Sequence, residues 1–419
     1  MITRLPIRIA SDKTKVIPLL FNPGNMSRVA DIIHYIQTLS DEKVEEINEE
    51  IAADFAPRHY HYTAILRTHY AKILSLYQLP NTLNEPKLLF AGACFTKEYS
   101  IESAALFNPS MVPHPDQRGL DPGAVRFIMS LRATGEGHIS CITFMTGIIG
   151  ANGVIQLNEA RRPLIYSRHY TQQDKENESA YTITFPADGL LEQQIIFPYL
   201  ETERGGMEDL RLVHFNDSGE EFWAGTYTAY NGKTFTTHLL YTLDFRHFSL
   251  CPLTGKAVQD KGMALFPKKI NGRYAMISRQ GGRDIRIMYS ESLTHWEESS
   301  FLSQPNAAWN LVQIGNCGSP IYTDKGWIML IHGVGAFRKY TIGAILLDLN
   351  NPSIVSGTLE GPILSPSPEE REGYVPNVLY SCGGFAHHTN IIFPVALSDT
   401  SSGITFINIP ELLTAFRLS

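Results

Sequence analysis

The chain has 419 residues, 43% hydrophobic and 18% charged, with a formal net charge of −7. That mixture supports a large buried core and excludes wholesale disorder, and the acidic balance argues against a broad basic surface for nucleic acid or anionic membrane. No apolar run approaches the ~18 residues of a membrane span, and Met1 to Ala10 carries two arginines in a broken apolar stretch, unlike a secretory signal.

In chain order, residues from about 26 to 78 read as helix. Ser27 can cap a run containing Val29, Ile32, Ile33 and Ile36 at near-3.6 spacing. Ser40 with Glu42 opens a second, acidic helix through Val44 to Ile51, which Ala56-Pro57 breaks. A third run carries Ile65, Leu66, Tyr70, Ile73, Leu74 and Tyr77 and ends at Leu79-Pro80. His59, His61 and His69 fall here without any tight ligand spacing, so they read as packing residues and not as a metal site. Residues 1–90 are expected to be a helical segment that packs on the main domain or makes a subunit contact, with a homo-oligomer as one outcome.

After residue 90 short runs rich in Val, Ile, Phe, Tyr and Thr alternate with Gly, Asn and Asp turns, which predicts strands. Five segments share one plan of strand, polar turn and a second strand opening on a large apolar residue. They begin near Phe107, Gly206, Ala264, Asn316 and Tyr374, and their second strands open at Phe127, Phe222, Tyr274, Trp327 and Ile391. The last four are spaced by roughly 50 to 60 residues, the size of a propeller blade. The longer first interval holds an insertion at about 146–204. The expectation is an all-β, five-bladed β-propeller over residues 91–419 with an N-terminal α-helical segment.

Innermost propeller strands line a central channel. The first strands carry Asn108, Glu208, Asp209, Arg211, Lys268, Lys269 and Asn377. Five residues on from the opening apolar residue, the second strands carry Arg132, Tyr227, Arg279 and His332, and the fifth carries Ala396. Two arginines, a histidine and a lysine at one mouth make an anion site, since guanidinium forks and ammonium groups suit phosphate. The competing reading is a ring of structural ion pairs with Glu208 and Asp209. Alternation along a strand leaves only one of Glu208 and Asp209 facing a substrate. A carboxylic acid there can protonate a leaving oxygen, and Glu201 or Glu203 could supply a second carboxylate, although solvated loop acids would look the same. Tyr227 and Tyr340, at segment ends, are candidate sugar-facing aromatics; other aromatics in such a fold are core.

At these residues the chain resembles glycoside hydrolase family 130, the β-mannoside phosphorylases and related β-mannosidases, over roughly residues 100–415. Gly206-Met-Glu208-Asp209-Leu-Arg211 resembles its G-x-E-D-P-R motif, and Leu265-Phe-Pro-Lys-Lys269-Ile-Asn-Gly its L-F-P-x-K-x-x-G strand. Ser278-Arg279 resembles H-R-P, Gly326-Trp327 to His332-Gly-Val334 resembles G-W-L-x-x-x-H-G-V, and Gly373-Tyr-Val-Pro-Asn377-Val resembles the last-blade motif. The resemblance implies inverting phosphorolysis of β-manno-oligosaccharides to α-mannose 1-phosphate. It makes Asp209 the proton donor, acting through a mannose hydroxyl. It assigns phosphate to Lys269, Arg279, His332 and Tyr340, and the mouth residues Asn108, Arg132, Glu208, Arg211 and Tyr227 are then expected to bind substrate. Inorganic phosphate is then a co-substrate; no metal or organic cofactor is expected. Leu210 and Gln280-Gly281 depart from the family's prolines, and the N-terminal segment lies outside the common core.

Two other readings stay open. An inverting β-mannosidase would use water activated by a carboxylate such as Glu203. A non-catalytic sugar- or protein-binding propeller would need neither group. Five cysteines without a C-x-x-C fit reduced thiols, and with the absent signal they predict a cytoplasmic protein, in which the N-x-S/T sites at Asn177 and Asn216 have no role.

Overall fold

A computed structural model of the chain describes residues 1–158, 163–166, 170–174 and 177–418. It divides into two units, one made of Met1–Ser11, Glu102–Ala160 and Ser167–Ser419, the other of Asp12–Ile101 and Arg161–Tyr166. No helix among the described residues is long and apolar enough to cross a membrane.

The smaller unit has helices Met26–Thr38, Asp41–Phe55, Tyr62–Tyr77 and Glu85–Cys94, with strands Val16–Leu20 and Thr96–Ser100 paired antiparallel. Its core joins Val29, Ile33 and Ile36 of the first helix to Tyr70 and Ile73 of the third and Ala91 of the fourth. Asn25, Ser40 and Asn84 each accept a hydrogen bond from the backbone N–H three residues on, capping the first, second and fourth helices. Ser27, expected as the first cap, lies inside the helix, because Asn25 behind Pro23-Gly24 starts it two residues earlier. The fourth helix was not expected. Pro80 ends the third run, but Asn84-Glu85-Pro86 restarts a helix with a cap and a proline in its first turn. His59 pairs with Glu98 at 2.8 Å and His69 with Thr96 Oγ1 at 2.8 Å, so both have packing partners.

In the larger unit the expected strand pairs appear as successive antiparallel groups. The first is Ala105–Pro113, Val125–Thr134 and Ser140–Ile149. The second is Gly206–Asp217, Glu220–Tyr230, Phe235–Thr242 and His247–Pro252, joined to the first through a parallel Gly206–Ser140 contact. The third is Ala264–Leu265, Tyr274–Gln280, Asp284–Ser290 and Ser299–Ser303. The fourth is Gln313–Asn316, Gly326–Val334, Tyr340–Leu347 and Val355–Thr358. The fifth is Leu379–Tyr380, Asn390–Leu397 and Ser401–Asn408, and Ile2–Ile9 completes it from the other end of the chain by pairing with Ser401–Asn408.

That last pairing moves the boundary of the N-terminal segment. Residues 1–90 do not form one helical piece: Met1–Ser11 belong to the β unit and the helical unit extends to Ile101. Alternating apolar residues at Leu5, Ile7 and Ile9 are compatible with a strand, but the partner lies at the far end of the sequence and leaves no local trace.

Apolar clusters fill the spaces between successive sheets. Phe215, Phe222, Met263, Tyr274 and Trp296 fill the second-to-third space; Phe266, Ile277, Ile314 and Trp327 the third-to-fourth; and Ile328, Leu346, Leu379 and Phe393 the fourth-to-fifth. The closely packed sheets hold the ends of their inner strands in fixed positions, which is what a polar site there requires.

Candidate active site

Two strands are interrupted where they face each other. The register of Ala105–Pro113 shifts between Phe107 and Ser110, and that of Gly206–Asp217 between Glu208 and Arg211. Asn108 and Asp209 occupy the breaks with φ of +49° and +56°, the left-handed region that Asn and Asp tolerate better than most residues. A bulge ends simple alternation. The expectation that Glu208 and Asp209 point apart therefore fails, and one guanidinium reaches both. Arg132 donates from Nη2 to Glu208 Oε1 at 2.7 Å and from Nη1 to Asp209 Oδ1 at 3.3 Å. Its Nε is held by Ser140 Oγ at 2.8 Å and its Cζ lies 5.0 Å from the Phe107 ring centre.

Asp209 is buried and accepts a 2.6 Å hydrogen bond from Asn108 Nδ2. Arg211, also buried, donates from Nη1 to the Asp209 carbonyl at 3.0 Å and from Nη2 to the Tyr380 hydroxyl at 2.5 Å. Burial pushes the Asp209 carboxyl up, but Arg132, Arg211, Lys261 and the Asn108 hydrogen bond outweigh it and hold it below the ordinary aspartate value. These groups hold Asp209 as a carboxylate.

A second cluster adjoins Arg211. Gly315 lies under the side chains of Arg279 and His332: a Cβ there would sit 2.5 Å from His332 Cε1 and 3.3 Å from Arg279 Cδ. The His332 ring stacks on Tyr340 at 5.8 Å and lies 4.9 Å from Tyr380. Burial, reinforced by Arg279 and Arg211, pushes His332 well below its ordinary pKa, so the imidazole is neutral. Arg211 Nε, Arg279 Nε, His332 Nε2 and Asn316 Oδ1 are all buried without a hydrogen-bond partner. Buried polar groups are ordinarily satisfied, so a group of orphans in one place marks where a polar ligand fits.

Two expected site residues lie elsewhere. Tyr227 is buried on the other side of its sheet, where its hydroxyl donates to Glu203 Oε1 at 2.6 Å and its ring lies against His238. The reason is a slip of one residue. Tyr274 and Trp327 face the preceding sheet, whereas Phe222 faces the following one. The residue of the second repeat that matches them is Trp223, whose Nε1 donates to the Pro113 carbonyl of the first repeat. Counting from Trp223 gives Thr228, which pairs in register with Glu208. A one-residue slip reverses the side of every side chain.

Lys269 is the other. Its Nζ pairs with Glu220 at 3.0 Å and lies 4.6 Å over the Tyr274 ring, and Lys268 lies 3.8 Å over the Tyr322 ring. Both lysines precede the Asn271-Gly272 turn. Pro267, just before them, accepts from Asn216 N beside the Asp217–Glu220 turn, the end of that hairpin away from Asp209. Hairpin geometry was the usable signal, because the mouth end holds residues before the first strand and at the end of the second. Lys261, just before Gly262, satisfies it, and its Nζ is 3.8 Å from Glu208. Lys269→Ala is therefore expected to leave turnover within about twofold of the parent and to change stability little, because solvent screens an exposed ion pair; steady-state kinetics and thermal melting check both.

Glu203 is not poised as a base. It is fully buried and accepts hydrogen bonds from the hydroxyls of Tyr181 and Tyr227 and from the N–H groups of Tyr199 and Leu200. Sequence reasoning also missed Tyr380, Asn316 and Asp399. Asp399 sits in the turn joining Asn390–Leu397 to Ser401–Asn408, with φ of +50°. Burial and then Asp209 push its pKa up to about 6, against the pull of Arg132 and Arg338. Since the folded state binds this proton more tightly than the unfolded chain, its contribution is fully present below the ordinary aspartate pKa of ~4 and is lost as pH rises to about 6. The parent should lose up to ~2–3 kcal/mol relative to Asp399→Asn over that interval. Denaturant midpoints of the two proteins between pH 4 and 7 test the sign, and an unchanged difference would refute it.

Residues 178–418 match the family model of glycoside hydrolase family 130, described as β-1,4-mannooligosaccharide phosphorylase. The chain is 30% identical over 236 residues to a 1,2-β-oligomannan phosphorylase of Thermoanaerobacter, covering 53% of this chain and 75% of that protein. It is 29% identical over 231 residues to a β-1,2-mannobiose phosphorylase of Listeria innocua, covering 53% of this chain and 63% of that one. The solved structure of a Listeria innocua β-1,2-mannobiose phosphorylase with β-1,2-mannobiose superposes with a TM-score of 0.54 at 24% identity, over 74% of this chain and 92% of the other. The matched region contains Asp209, Arg211, Arg279, His332 and Tyr340, and the chain belongs to glycoside hydrolase family 130.

Proposed function

We propose that the protein is an inverting β-mannoside phosphorylase, using phosphate to cleave manno-oligosaccharides and releasing α-mannose 1-phosphate. The five antiparallel groups are read as the blades of a five-bladed propeller, with the site where their inner strands end. The observation that carries the phosphorylase reading is the set of orphaned polar atoms on Arg211, Arg279, His332 and Asn316 beside a buried carboxylate. Water needs no such set, whereas phosphate oxygens match guanidinium and imidazole N–H groups. Glu203, named as one carboxylate that hydrolysis could use, accepts from two tyrosine hydroxyls and two backbone N–H groups, which supports the phosphorylase reading over it.

In this mechanism phosphate rests on Arg211, Arg279, His332 and Tyr340. One of its oxygens attacks the anomeric carbon from the face opposite the leaving group. The glycosidic C–O bond breaks, and a proton from Asp209, passed through a mannose hydroxyl, reaches the leaving oxygen. Asn108, Arg132 and Glu208 position the sugar and the acid. Fixed cations accelerate the step because they are already arranged around the charge being moved.

The test incubates the full chain with β-1,2- and β-1,4-manno-oligosaccharides with and without phosphate and quantifies mannose 1-phosphate and free mannose separately. Phosphate-dependent mannose 1-phosphate is expected. Free mannose formed independently of phosphate would overturn the reading.

A further inference from the structure

The acid and the anion pocket share a residue. Arg211 touches Asp209 through the backbone carbonyl with one nitrogen and the Tyr380 hydroxyl with another, while its Nε has no partner. The Tyr380 ring continues into the anion pocket against His332 at 4.9 Å and Tyr340 at 6.4 Å. Burial keeps the phenol protonated, raising its pKa far above the ordinary tyrosine value. Arg211 donates into the phenolic oxygen, and the phenol donates to no group among the described residues, so its own proton is available to a ligand.

This arrangement meets a chemical difficulty. A proton donor must hold a proton, yet the cations around Asp209 favour its carboxylate. Arg132 faces it from the first repeat, Lys261 from the loop before the third, and Arg211 from its own strand. The acids Glu208 and Asp399 oppose these cations. Arg132 and Lys261 are already paired with Glu208, which leaves Arg211 as the cation whose charge an incoming anion can share.

We propose that Arg211, fixed by Tyr380, couples the two halves of the site, so that a dianion seated against Arg211 and Arg279 converts Asp209 to its protonated form. The inference rests on the phosphorylase reading and adds to it a positioning role for Tyr380 and an order to the reaction, with phosphate charging the acid. A unit charge ~6 Å away at an effective dielectric of about 20 changes proton affinity roughly a hundredfold, so a dianion can move a carboxylate across most of the distance to neutrality. The proton balance closes. Asp209 takes one proton from solvent as HPO4²⁻ binds. That proton ends on the leaving alcohol, the phosphate oxygen–carbon bond replaces the glycosidic bond, and the product phosphomonoester returns its proton to solvent.

Sulfate is the probe, because it is a dianion with no titratable proton near neutrality. Calorimetric titration of the full chain with sulfate at pH 7, in two buffers of different ionisation enthalpy, is expected to show uptake approaching one proton per sulfate bound. Asp209→Asn should bind sulfate without uptake. Tyr380→Phe should still bind sulfate, take up less than half the parent's protons, and lose at least tenfold in kcat with KM for the mannoside within about threefold. Sulfate binding by the parent without proton uptake, equal uptake by Asp209→Asn or Tyr380→Phe, or no sulfate binding at all would each overturn the coupling. Phosphate-dependent formation of mannose 1-phosphate is measured on the same protein. If it occurs without linked proton uptake, the coupling fails alone; if it does not occur, the phosphorylase reading fails.

Discussion

Asp209→Asn is expected to lower kcat for phosphorolysis by about 10²–10⁴-fold, the range set by general acid catalysis, while leaving mannoside affinity within about tenfold. The carboxyl is buried, with Asn108 and Arg132 on its oxygens and Arg211 on the residue's backbone carbonyl, and among the described residues no other carboxyl makes the same contacts. Glu208 is tied to Arg132 and Lys261. An amide can keep a hydrogen bond with a rotated Asn108, but it cannot give up a proton. The defect should depend on the leaving group. A β-mannoside with a nitrophenyl leaving group needs little protonation, so the variant should lose at least tenfold less on it than on mannobiose. Product assays on both substrates, with calorimetric binding of mannobiose, check the prediction. Equal losses on both substrates would assign Asp209 a binding role and not that of an acid.

Arg279→Ala is expected to raise KM for phosphate by about 100-fold and His332→Ala by about tenfold, with KM for the mannoside nearly unchanged. Arg279 offers an orphaned, charge-bearing donor group, and hydrogen bonds to charged partners are worth about 1.5–3 kcal/mol, or roughly ten- to a hundredfold. His332 is neutral, since burial and the neighbouring arginines oppose its protonation, and so contributes a hydrogen bond without a full charge. Arg279→Lys should recover only part of the loss, because an ammonium cannot present the planar fork. Initial rates over a matrix of phosphate and mannoside concentrations separate the two KM values. A change confined to the mannoside KM would move these residues into the sugar site.

Much of this architecture is legible in the primary structure because repetition is a local signal. Each second strand has its own alternation and its own Gly, Asn or Asp turn, so Val125–Thr134, Glu220–Tyr230, Tyr274–Gln280, Gly326–Val334 and Asn390–Leu397 stand out one by one. Counting along them located Arg132, Arg279 and His332. The same count failed at Tyr227, because adjacent Phe222 and Trp223 are both large and apolar, and nothing local says which faces which neighbour. At Lys269 the assignment came from the motif instead, and hairpin geometry puts that residue beside the turn.

The repeated strand pairs, the helical stretch after residue 26 and the acidic motif at Glu208-Asp209 were thus determined by the order of residues alone, since each depends on spacing within a few turns or strands. The joining of Ile2–Ile9 to Ser401–Asn408, the bulge that turns both Glu208 and Asp209 onto Arg132, and the entry of Lys261, Asp399 and Tyr380 into the site were decided only by tertiary structure. These depend on contacts between residues far apart in the chain, and on burial that sets which carboxyl holds a proton. Neither leaves a periodic trace in the sequence.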